Sequence, residues 1–460
     1  MNLLDCLTHI KLSYTGTDKD NKEKVDLLSK LPLELSIYIL VHLNLLEIHN
    51  CQLVSKSWYA LATDNLVYKH LFAQFGWKLS SEVKNTPPPT PLYTPPSLSP
   101  CISRSNSFNR QAFSNAISTR FTQLTSQKND DDDDSLDWLE LFKARLELEN
   151  RWFGKGTPEM HFLDGHTDSV YTVAFDNEKI ISGSRDKSIR IWDVKTRALL
   201  NTIPDAHNGS VISVKFQSTF GVSAGSDGRL LIWNFGTGRQ LGKAKVVKVL
   251  ENHTAGVLDA DFNNNYIASC SKDSSICVYS RKSLKLLYRI DNAHEASVNS
   301  LSITKSNVLA SAGGDKVINI WNLDKGVLSR KIEKTHSRGI ACIDIDNEII
   351  ASGSSDNTIQ LSTTDGQLLC SLAGHQGLVR SLQIDSSRRI VVSGSYDRCV
   401  KVWNLNEING DVQYARKFDQ HESLIFDLDF DSRRIVTASH DKRIMIVDFS
   451  VDIPHADLFA

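Results

Sequence analysis

The chain has 460 residues, of which 41% are hydrophobic, and its formal net charge at pH 7 is −2. This length and apolar content allow more than one folded unit with a core of its own. The near-zero charge excludes a protein drawn as a whole to nucleic acid or to an acidic membrane surface, and no apolar run approaches the length of a membrane span.

Eight cysteines are scattered along the chain without a CxxC pair or metal-ligand spacing. They are Cys6, Cys51, Cys101, Cys270, Cys277, Cys342, Cys370 and Cys399. This pattern indicates free thiols in a reducing compartment, so we predict a cytoplasmic and/or nuclear protein. We predict neither a metal site nor a cofactor.

Residues 1–29 begin with a short apolar stretch that lacks a basic flank and is too short for a signal peptide. Residues 11–26 are polar and charged, and they cannot bury enough apolar surface to offset the entropy of ordering. We therefore predict a disordered N-terminal segment.

Residues 30–77 read as a small all-helical module. Pro32 stands near the start of a first helix, and Asn44 with Glu47 can cap a second one. The apolar residues of the first helix recur on one broad face and are Leu33, Leu35, Ile37, Ile39, Leu40 and Leu43. A module this short cannot bury all its apolar surface alone, so a partner surface is expected.

These residues resemble an F-box. The run LPLELSIYILVHL is similar to the opening helix of that family, and CQLVSKSWYALATDNLVYKHL to its second half, with Val67-Tyr68 where a Leu-Trp pair is commoner. The resemblance implies docking on the Skp adaptor, and through it on the cullin, of a ubiquitin ligase. The positions that carry this contact by resemblance are Leu31, Pro32, Leu33, Leu35, Ile39 and Leu40.

Residues 78–134 form a predicted linker that is rich in Pro, Ser and Thr and ends in an acidic run, Asp130 to Asp134. Such composition favours extended, semi-stiff chain. Four Ser/Thr-Pro steps, at Thr86, Thr90, Thr94 and Ser99, lead to the hypothesis of proline-directed phosphorylation.

Residues 135–156 are predicted to contain a connecting helix that Asp134 or Ser135 can cap. One broad face of this helix carries Trp138, Leu141, Phe142, Arg145, Leu148 and Trp152. The segment resembles the helix that F-box/WD-repeat proteins place ahead of their propeller.

Residues 157–460 contain a tandem repeat. Seven histidines recur at intervals of about 40–45 residues, and each precedes a turn with an aspartate, which is typical of the blades of a β-propeller. The histidines are His166, His207, His253, His294, His336, His375 and His421. The turn aspartates are Asp186, Asp227, Asp273, Asp315, Asp356, Asp397 and Asp441.

The first repeat predicts a buried polar cluster of His166, Ser182, Asp186 and Trp192. Buried imidazole and indole N–H groups need acceptors, which the serine hydroxyl and the carboxylate supply. Since the histidines recur once per blade, we interpret them as structural residues, and not as metal ligands or catalytic bases.

The repeats resemble the WD-repeat family through Trp192-Asp193, Trp233-Asn234, Trp321-Asn322 and Trp403-Asn404. Tyr279 is a conservative departure, but Leu361 and Val447 have lost the aromatic ring, so blades five and seven should lack the full cluster. The last repeat is short of one strand. The segment EMHFLD before His166 can supply it, and this would close a seven-bladed ring.

The fold prediction is therefore a multidomain chain, with a small all-α F-box module and an all-β seven-bladed WD-repeat propeller. The resemblance implies a non-catalytic substrate-recognition subunit of an SCF-type ubiquitin ligase, whose propeller captures a target protein. The alternative is a non-ligase WD-repeat scaffold that assembles signalling or trafficking proteins. A propeller enzyme would need a unique polar constellation in the channel, and the sequence indicates no catalytic residues.

Ligands of propellers commonly use the face that carries the histidine loops and the aspartate turns. Basic residues flank most turn aspartates and no acidic residue does, so this face should be biased positive. The residues after each first-strand Val or Ile should ring the channel mouth: Tyr171, Ile212, Leu258, Asn299, Ala341, Arg380 and Phe426.

The predicted substrate-binding residues are Arg185, Arg338, Arg380, Arg398, Lys442, Tyr171 and Phe426. Arginine forks match phosphate oxygens, and Arg185, Arg380 and Arg398 stand where phosphodegron-reading members of the family have their key arginines. In those relatives the three arginines fall in adjacent blades. Here blade seven intervenes, and Lys442 could fill that gap. Whether the degron carries phosphate stays open, because exposed basic side chains are also commonly solvated or paired.

Overall fold

The structure is a computed structural model that describes residues 28, 31–75, 77, 79, 136–154, 156–333, 335–405 and 414–459. Nearly all of the predicted disordered segment, nearly all of the predicted linker with its Ser/Thr-Pro steps and acidic run, and the cysteines Cys6 and Cys101 lie outside these residues. Leu28 departs from the predicted disorder, because its side chain is buried and its carbonyl oxygen accepts from Ser36 Oγ at 2.8 Å. The chain divides into two compact units, one within Met1–Phe75 and Pro87–Phe142, the other within Gly76–Thr86 and Lys143–Ala460.

The first unit is helical. Its helices are α1 (Leu33–Leu40), α2 (Leu45–Gln52), α3 (Lys56–Ala62) and α4 (Asn65–Gln74). The predicted cap of α2 is confirmed: Glu47 N donates to Asn44 Oδ1 at 3.0 Å, and Asn44 N donates to Glu47 Oε2 at 3.1 Å. The core consists of side chains from all four helices and includes Leu40, Ile48, Ala62, Val67 and Leu71.

Helix α5 (Trp138–Trp152) contains the last residues of the first unit and the first residues of the long second segment. All six residues of its predicted face are buried. Asp137 provides the cap, because its Oδ1 accepts from Glu140 N at 3.0 Å; Asp134 and Ser135 lie outside the described residues. Within the second unit, Trp152 stacks on Phe449 with ring centroids 4.2 Å apart and donates its indole N–H to the carbonyl oxygen of Ser432.

The second unit is a seven-bladed propeller of four-stranded antiparallel sheets. Strand β1 (Glu159–Asp164) precedes the blades in the chain. Blade 1 contains β2 (Val170–Phe175), β3 (Lys179–Ser184), β4 (Ile189–Asp193) and β5 (Leu199–Ile203). Blade 2 contains β6 (Val211–Gln217), β7 (Phe220–Gly225), β8 (Leu230–Phe235) and β9 (Ala244–Leu250). Blade 3 contains β10 (Val257–Phe262), β11 (Tyr266–Ser271), β12 (Ile276–Ser280) and β13 (Leu286–Ile290).

The remaining blades repeat this order. Blade 4 contains β14 (Val298–Ile303), β15 (Val308–Gly313), β16 (Ile318–Asn322) and β17 (Val327–Ile332). Blade 5 contains β18 (Ile340–Asp346), β19 (Ile349–Ser354), β20 (Thr358–Thr363) and β21 (Leu368–Ala373). Blade 6 contains β22 (Val379–Asp385), β23 (Ile390–Ser395), β24 (Val400–Asn404) and β25 (Tyr414–Phe418). Blade 7 contains β26 (Ile425–Phe430), β27 (Arg434–Ser439) and β28 (Arg443–Asp448).

Strand β1 completes blade 7, as predicted for EMHFLD. It pairs with β28 in an antiparallel register from Glu159 opposite Asp448 to Asp164 opposite Arg443. The last blade therefore contains the first strand of the propeller, and this pairing closes the ring.

The apolar cores lie between neighbouring blades. One cluster joins Ile191 of blade 1 to Val214 and Trp233 of blade 2, and another joins Ala351 of blade 5 to Leu382 of blade 6. Each sheet thus buries both faces against its neighbours, which explains the nearly continuous burial of strands such as β3 and β23.

None of the described helices has the length and apolar character needed to cross a membrane.

Candidate docking surfaces

The first unit exposes many large apolar side chains for its size. They are Leu31, Leu33, Leu46, Leu53, Val54, Tyr59, Leu66 and Phe75. Leucines exposed at this density make this surface a candidate for contact with a partner.

The residues predicted for adaptor docking fall into three environments. Leu31, Pro32 and Leu33 are exposed, with 56% of Leu33 accessible, and Leu35 and Ile39 are half-buried. Leu40 is fully buried, so it packs in the core of its own unit and offers no contact surface.

The predicted adaptor-docking residues do not include the exposed apolar residues of the later helices, of which Leu46, Leu53 and Tyr59 are examples. Two sequence features pointed to such residues: the pair Leu45-Leu46 directly after the Asn44 cap, and the pair Leu53-Val54 between two short helices. Leu46 and Leu53 stand at or beside helix ends, where a residue has fewer neighbours in the same unit, and Tyr59 is exposed in the middle of α3. All three are therefore candidates for contact with a partner.

In the propeller, every histidine loop is held to its aspartate turn. In blade 1, His166 Nδ1–H donates to Asp186 Oδ2 at 2.9 Å, and Ser182 Oγ–H donates to His166 Nε2 at 2.8 Å. Trp192 Nε1–H donates to the same Ser182 Oγ at 3.0 Å, which confirms the predicted cluster. The loops and turns therefore lie together on one face of the propeller, which we call the loop face.

The clusters differ between blades as the sequence predicts. The indole bond is present in blades 1, 2, 4 and 6. In blades 5 and 7 the imidazole keeps both of its bonds, for example His421 to Asp441 Oδ2 at 2.7 Å and to Thr437 Oγ1 at 2.8 Å, without an indole. The loop geometry thus depends on the His–Asp pair, and the indole adds a further bond.

Charge in these clusters is set by burial and by hydrogen bonding. Burial lowers the pKa of His166 and outweighs the opposing effect of Asp186. Burial also raises the pKa of Asp186, but hydrogen bonds from His166 and Ser188 outweigh it and hold that pKa far below its usual value. The pair is therefore a neutral imidazole bound to a carboxylate at neutral pH, and its burial and its repetition in all seven blades favour a structural role.

The residue after each turn aspartate has a positive φ. At four of these positions the residue is basic: Lys187, Lys316, Arg398 and Lys442, with φ between 68° and 70°. Residues other than glycine rarely adopt this backbone conformation. The turn geometry therefore fixes the direction in which these basic side chains extend into solvent.

The channel mouth is built by bulges. In every blade the pairing of the first two strands skips one residue, and the skipped residues are Tyr171, Ile212, Leu258, Asn299, Ala341, Arg380 and Phe426. A bulge turns its side chain away from the regular ladder. Six of the seven, all except Ala341, line one cavity of about 440 Å³.

The predicted substrate residues divide between this mouth and the rim around it. Tyr171, Phe426 and Arg380 line the cavity, and the rings of Tyr171 and Phe426 meet edge to face with centroids 4.9 Å apart. Arg380 Nη1 donates to the carbonyl oxygen of Ala341 at 3.3 Å. The guanidinium therefore stays at the mouth with further N–H groups for an acceptor.

The other four predicted cations, which are Arg185, Arg338, Arg398 and Lys442, are exposed and do not line the cavity. Arg185 Nε lies 3.6 Å from Asp168 Oδ2, an exposed pair of little net energy. These four cations belong to the loops and turns of blades 5, 6, 7 and 1 and form a basic rim on that side of the loop face. Among the predicted cations, Arg380 is the one that lines the cavity.

Two aromatic residues near the mouth were missed by the sequence analysis. Tyr396 and His440 each contact Phe426, with ring centroids 5.8 Å and 6.0 Å apart. Both directly precede a turn aspartate, the same position that Arg185 holds in blade 1, so the repeat alignment contained the signal. The mouth thus offers an aromatic side at blades 6, 7 and 1.

Below the mouth the channel is acidic around one lysine. Burial lowers the pKa of Lys215, but the carboxylates of Asp427, Asp429 and Asp259 outweigh burial and raise it overall. Burial raises the pKa of Asp261 and that of Asp429 to about 6, despite the opposing charge of Lys215.

Among the described residues no group of His, Cys, Asp and Glu could hold a metal ion, and the six described cysteines are free thiols.

Comparisons with known proteins agree with this architecture. Residues 28–74 match the F-box-like family, and the WD domain, G-beta repeat family matches six segments, 157–193, 244–280, 284–322, 328–361, 366–404 and 413–448. The segment without a match contains most of blade 2.

Among curated proteins, the chain is similar to an F-box protein of Saccharomyces cerevisiae, with 27% identity over 193 residues, or 42% of this chain. It is also similar to the probable E3 ubiquitin ligase complex SCF subunit sconB of Aspergillus niger, with 24% identity over 223 residues, or 40% of this chain. The matches span 27% and 33% of the length of these relatives.

Among solved structures, the computationally designed Ika8 protein matches with a TM-score of 0.50 and 25% identity. The match covers 62% of this chain and 98% of the designed protein.

Proposed function

Because the chain belongs to the F-box/WD-repeat proteins, we propose that it is the substrate-recognition subunit of an SCF-type ubiquitin ligase. In this proposal the first unit docks on the Skp adaptor, which links it to the cullin. The propeller captures a target protein on its loop face, and partner enzymes carry out the transfer of ubiquitin.

The observation that carries the proposal is the pairing of two surfaces in one chain. One unit exposes apolar residues such as Leu33, Leu46 and Leu53 at a density that favours a permanent partner. The propeller presents basic and aromatic side chains on its loop face, and such a polar surface suits a peptide that binds transiently. Similarity to the Saccharomyces F-box protein and to an SCF subunit supports the same assignment.

Adaptor binding tests the first half of the proposal. Full-length protein is mixed with purified Skp adaptor and cullin, beside a Pro32→Ala, Leu33→Ala, Leu35→Ala variant. The matched control is Leu199→Ala, Leu200→Ala, Leu287→Ala, which removes three partly exposed leucines from the outer strands of the propeller. We expect the control to keep the complex and the first variant to lose it.

Failure of both wild type and control to bind the adaptor would reject the ligase role. The helical unit would then serve another partner, and the chain would be interpreted as a scaffold that assembles other proteins.

Phosphate recognition is the finer part of the proposal. Arg380, Arg398 and Lys442 are cations of blades 6 and 7, and no described carboxylate forms an ion pair with them within 4 Å. Arginine binds phosphate oxygens bidentately, so a phosphorylated degron is the ligand that best matches this charge.

The test uses a peptide library centred on phosphothreonine and the same library without phosphate. We expect selective retention of the phosphorylated library by the wild type and loss of selectivity in Arg380→Glu. Equal retention of both libraries would reject phosphate reading and leave the adaptor result unaffected.

A further inference from the structure

Blade 2 has a longer connection between its two outer strands than blade 1 has, and we call this segment, residues 236–243, the wall. The connection between β8 and β9 runs over residues 236–243 and includes a 3-10 turn at Gly238–Gln240, whereas the same connection in blade 1 is residues 194–198. A Cβ atom at position 236 would lie 1.8 Å from the carbonyl oxygen of Gln240, and Gly242 has φ +84°. The two glycines therefore allow the added segment to fold back beside the sheet.

This segment and strand β9 border a groove of about 720 Å³. Its lining includes three amides, Asn201, Asn234 and Gln240, two cations, Lys243 and Lys245, and two valines, Val246 and Val247. The volume lies in the range of ligand-binding clefts, roughly 300–1,000 Å³. Glu178 of blade 1 accepts from Gly238 N at 3.3 Å and so anchors the wall.

Strand β9 is the outermost strand of its sheet and extends over seven residues, Ala244–Leu250. Val246, Val247 and Val249 are 38%, 53% and 44% exposed. Among the described residues, its backbone pairs with β8, and no other strand covers its outer edge. An open edge of this length is a template for an additional strand.

The charge of this region identifies the kind of strand that fits. Residues 236–250 contain Arg239, Lys243, Lys245 and Lys248 and no carboxylate. Lys248 Nζ donates to the carbonyl oxygen of Leu284, while Arg239, Lys243 and Lys245 are exposed. Two copies of this edge would repel each other, so pairing with a second copy of this chain is disfavoured, and an acidic strand is favoured.

We propose that the outer edge of blade 2 binds an extended segment of a partner protein in which acidic and apolar residues alternate. The segment adds to β9 as a fifth strand, its carboxylates face Lys243 and Lys245, and its apolar side chains cover the exposed valines. This site is distinct from the loop face and from the helical unit, so it could recruit a second protein while a substrate is bound.

The probe for this site is an end-blocked, fluorescein-labelled peptide of alternating Glu and Val residues, and the readout is fluorescence anisotropy with the full-length chain. Lys243→Glu with Lys245→Glu should weaken binding roughly tenfold, because two attractions become repulsions. The matched control is Lys305→Glu with Lys325→Glu, which reverses two exposed lysines in blade 4, away from β9. This control should bind the probe like the wild type.

A second probe carries N-methyl groups on alternate backbone nitrogens and keeps the same charge. Loss of binding by this probe supports strand addition. If the N-methylated probe binds as well as the first, or if both charge-reversed variants bind equally, the proposal is overturned. Absence of saturable binding by the wild type overturns it as well. Neither adaptor nor substrate takes part, so the result is independent of the proposed ligase function.

Discussion

Ser182 shows how one hydroxyl group stabilises a blade. Its oxygen accepts the indole N–H of Trp192, and its own proton goes to His166 Nε2. The sequence predicted this arrangement, because each of these buried groups needs a partner and a serine hydroxyl can accept from one group and donate to the other. It did not predict Ser188, whose Oγ donates to Asp186 Oδ1 at 2.6 Å, since a serine in a turn usually faces water.

Ser182→Ala should therefore destabilise the propeller more than Ser352→Ala. The first leaves two buried partners unsatisfied, at about 1–3 kcal/mol each. Ser352 of blade 5 bonds the imidazole of His336, but Leu361 replaces the indole there. The measurement is the midpoint of thermal unfolding of both variants. Equal shifts would show that the indole bond contributes nothing to stability.

Acidification from pH 7.5 to pH 5.5 should lower the stability of the propeller. The pKa of six loop histidines is lowered in the folded state, chiefly by burial; they are His166, His207, His253, His294, His336 and His375. As the pH falls through 6.5, the unfolded chain binds protons that the folded chain does not, so this stability is complete above pH 6.5 and is lost below it.

Three channel carboxyls act in the opposite direction. Burial raises the pKa of Asp261 and Asp429 to about 6 and also raises that of Asp344, so the folded chain binds protons there before the unfolded chain does. The six histidines, which destabilise the fold on acidification, outnumber the three carboxyls, which stabilise it, so we expect a net loss of stability. Its size is about 1.4 kcal/mol per pH unit for each proton that the unfolded chain binds in excess of the folded chain. A thermal midpoint that stays constant or rises between pH 7.5 and pH 5.5 would contradict this balance.

At the scale of elements, helix α1 shows the limit of sequence periodicity. The pattern correctly predicted an amphipathic helix and the Asn44 cap that follows it. It grouped Leu40 with Leu33 as contact residues, although Leu40 is fully buried and Leu33 is 56% exposed. Core-facing and partner-facing positions are both apolar, so only the packing of the other helices separates them.

This difference predicts that the same substitution has a large effect on stability at one position and a small effect at the other. Leu40→Ala should destabilise the helical unit by roughly 2–5 kcal/mol, because it opens a cavity in the core. Leu33→Ala should change its stability by about 0.5 kcal/mol or less, since its side chain is mostly in water.

Hydrogen exchange of the amides between residues 31 and 75, followed by mass spectrometry, measures the stability of the helical unit in each variant within the intact chain. Faster exchange in Leu33→Ala than in Leu40→Ala would contradict the assignment of core and surface.

For the whole molecule, the channel contains a ring of hydrogen bonds that joins each blade to the next. Asp427 of blade 7 accepts from Val173 N of blade 1 at 3.1 Å, and Thr172 Oγ1 of blade 1 accepts from Val214 N of blade 2 at 3.0 Å. The later links end on Asp259, Ser300, Asp344 and Ser381, which accept from Leu301 N, Ile343 N, Ile384 N and Leu428 N. Between blades 2 and 3, Ser213 Oγ donates to Asp259 Oδ1 at 2.9 Å.

The repeat predicted seven blades, their order and the closing strand, because these follow from a period that is visible in the chain. The partners of Asp427 were not predictable in the same way. Thr172 and Ser381 lie in other repeats and become neighbours only when the ring closes. For the same reason, the position of Lys215 among the channel carboxylates was not predictable from the sequence.

Asp427→Asn should lower the thermal midpoint of the propeller by several degrees. The carboxylate accepts four hydrogen bonds, from Thr172 Oγ1, Val173 N, Ser381 Oγ and Leu428 N, at 2.9–3.1 Å. The side-chain amide of asparagine has one oxygen, and its NH₂ group would face two of these donors. At least two of the four hydrogen bonds are therefore lost, and each bond to a charged group contributes roughly 1.5–3 kcal/mol.

Asp259→Asn should cause a similar loss, because Asp259 links blades 2, 3 and 4 through the same kinds of donor. The matched control is Asp365→Asn, whose carboxylate is 87% exposed and pairs with Arg330 at 3.5 Å, and it should leave the midpoint unchanged. If all three variants unfold at the same temperature as the wild type, the ring of bonds does not hold the blades together. Stability would then rest on the apolar clusters between blades and on the pairing of β1 with β28.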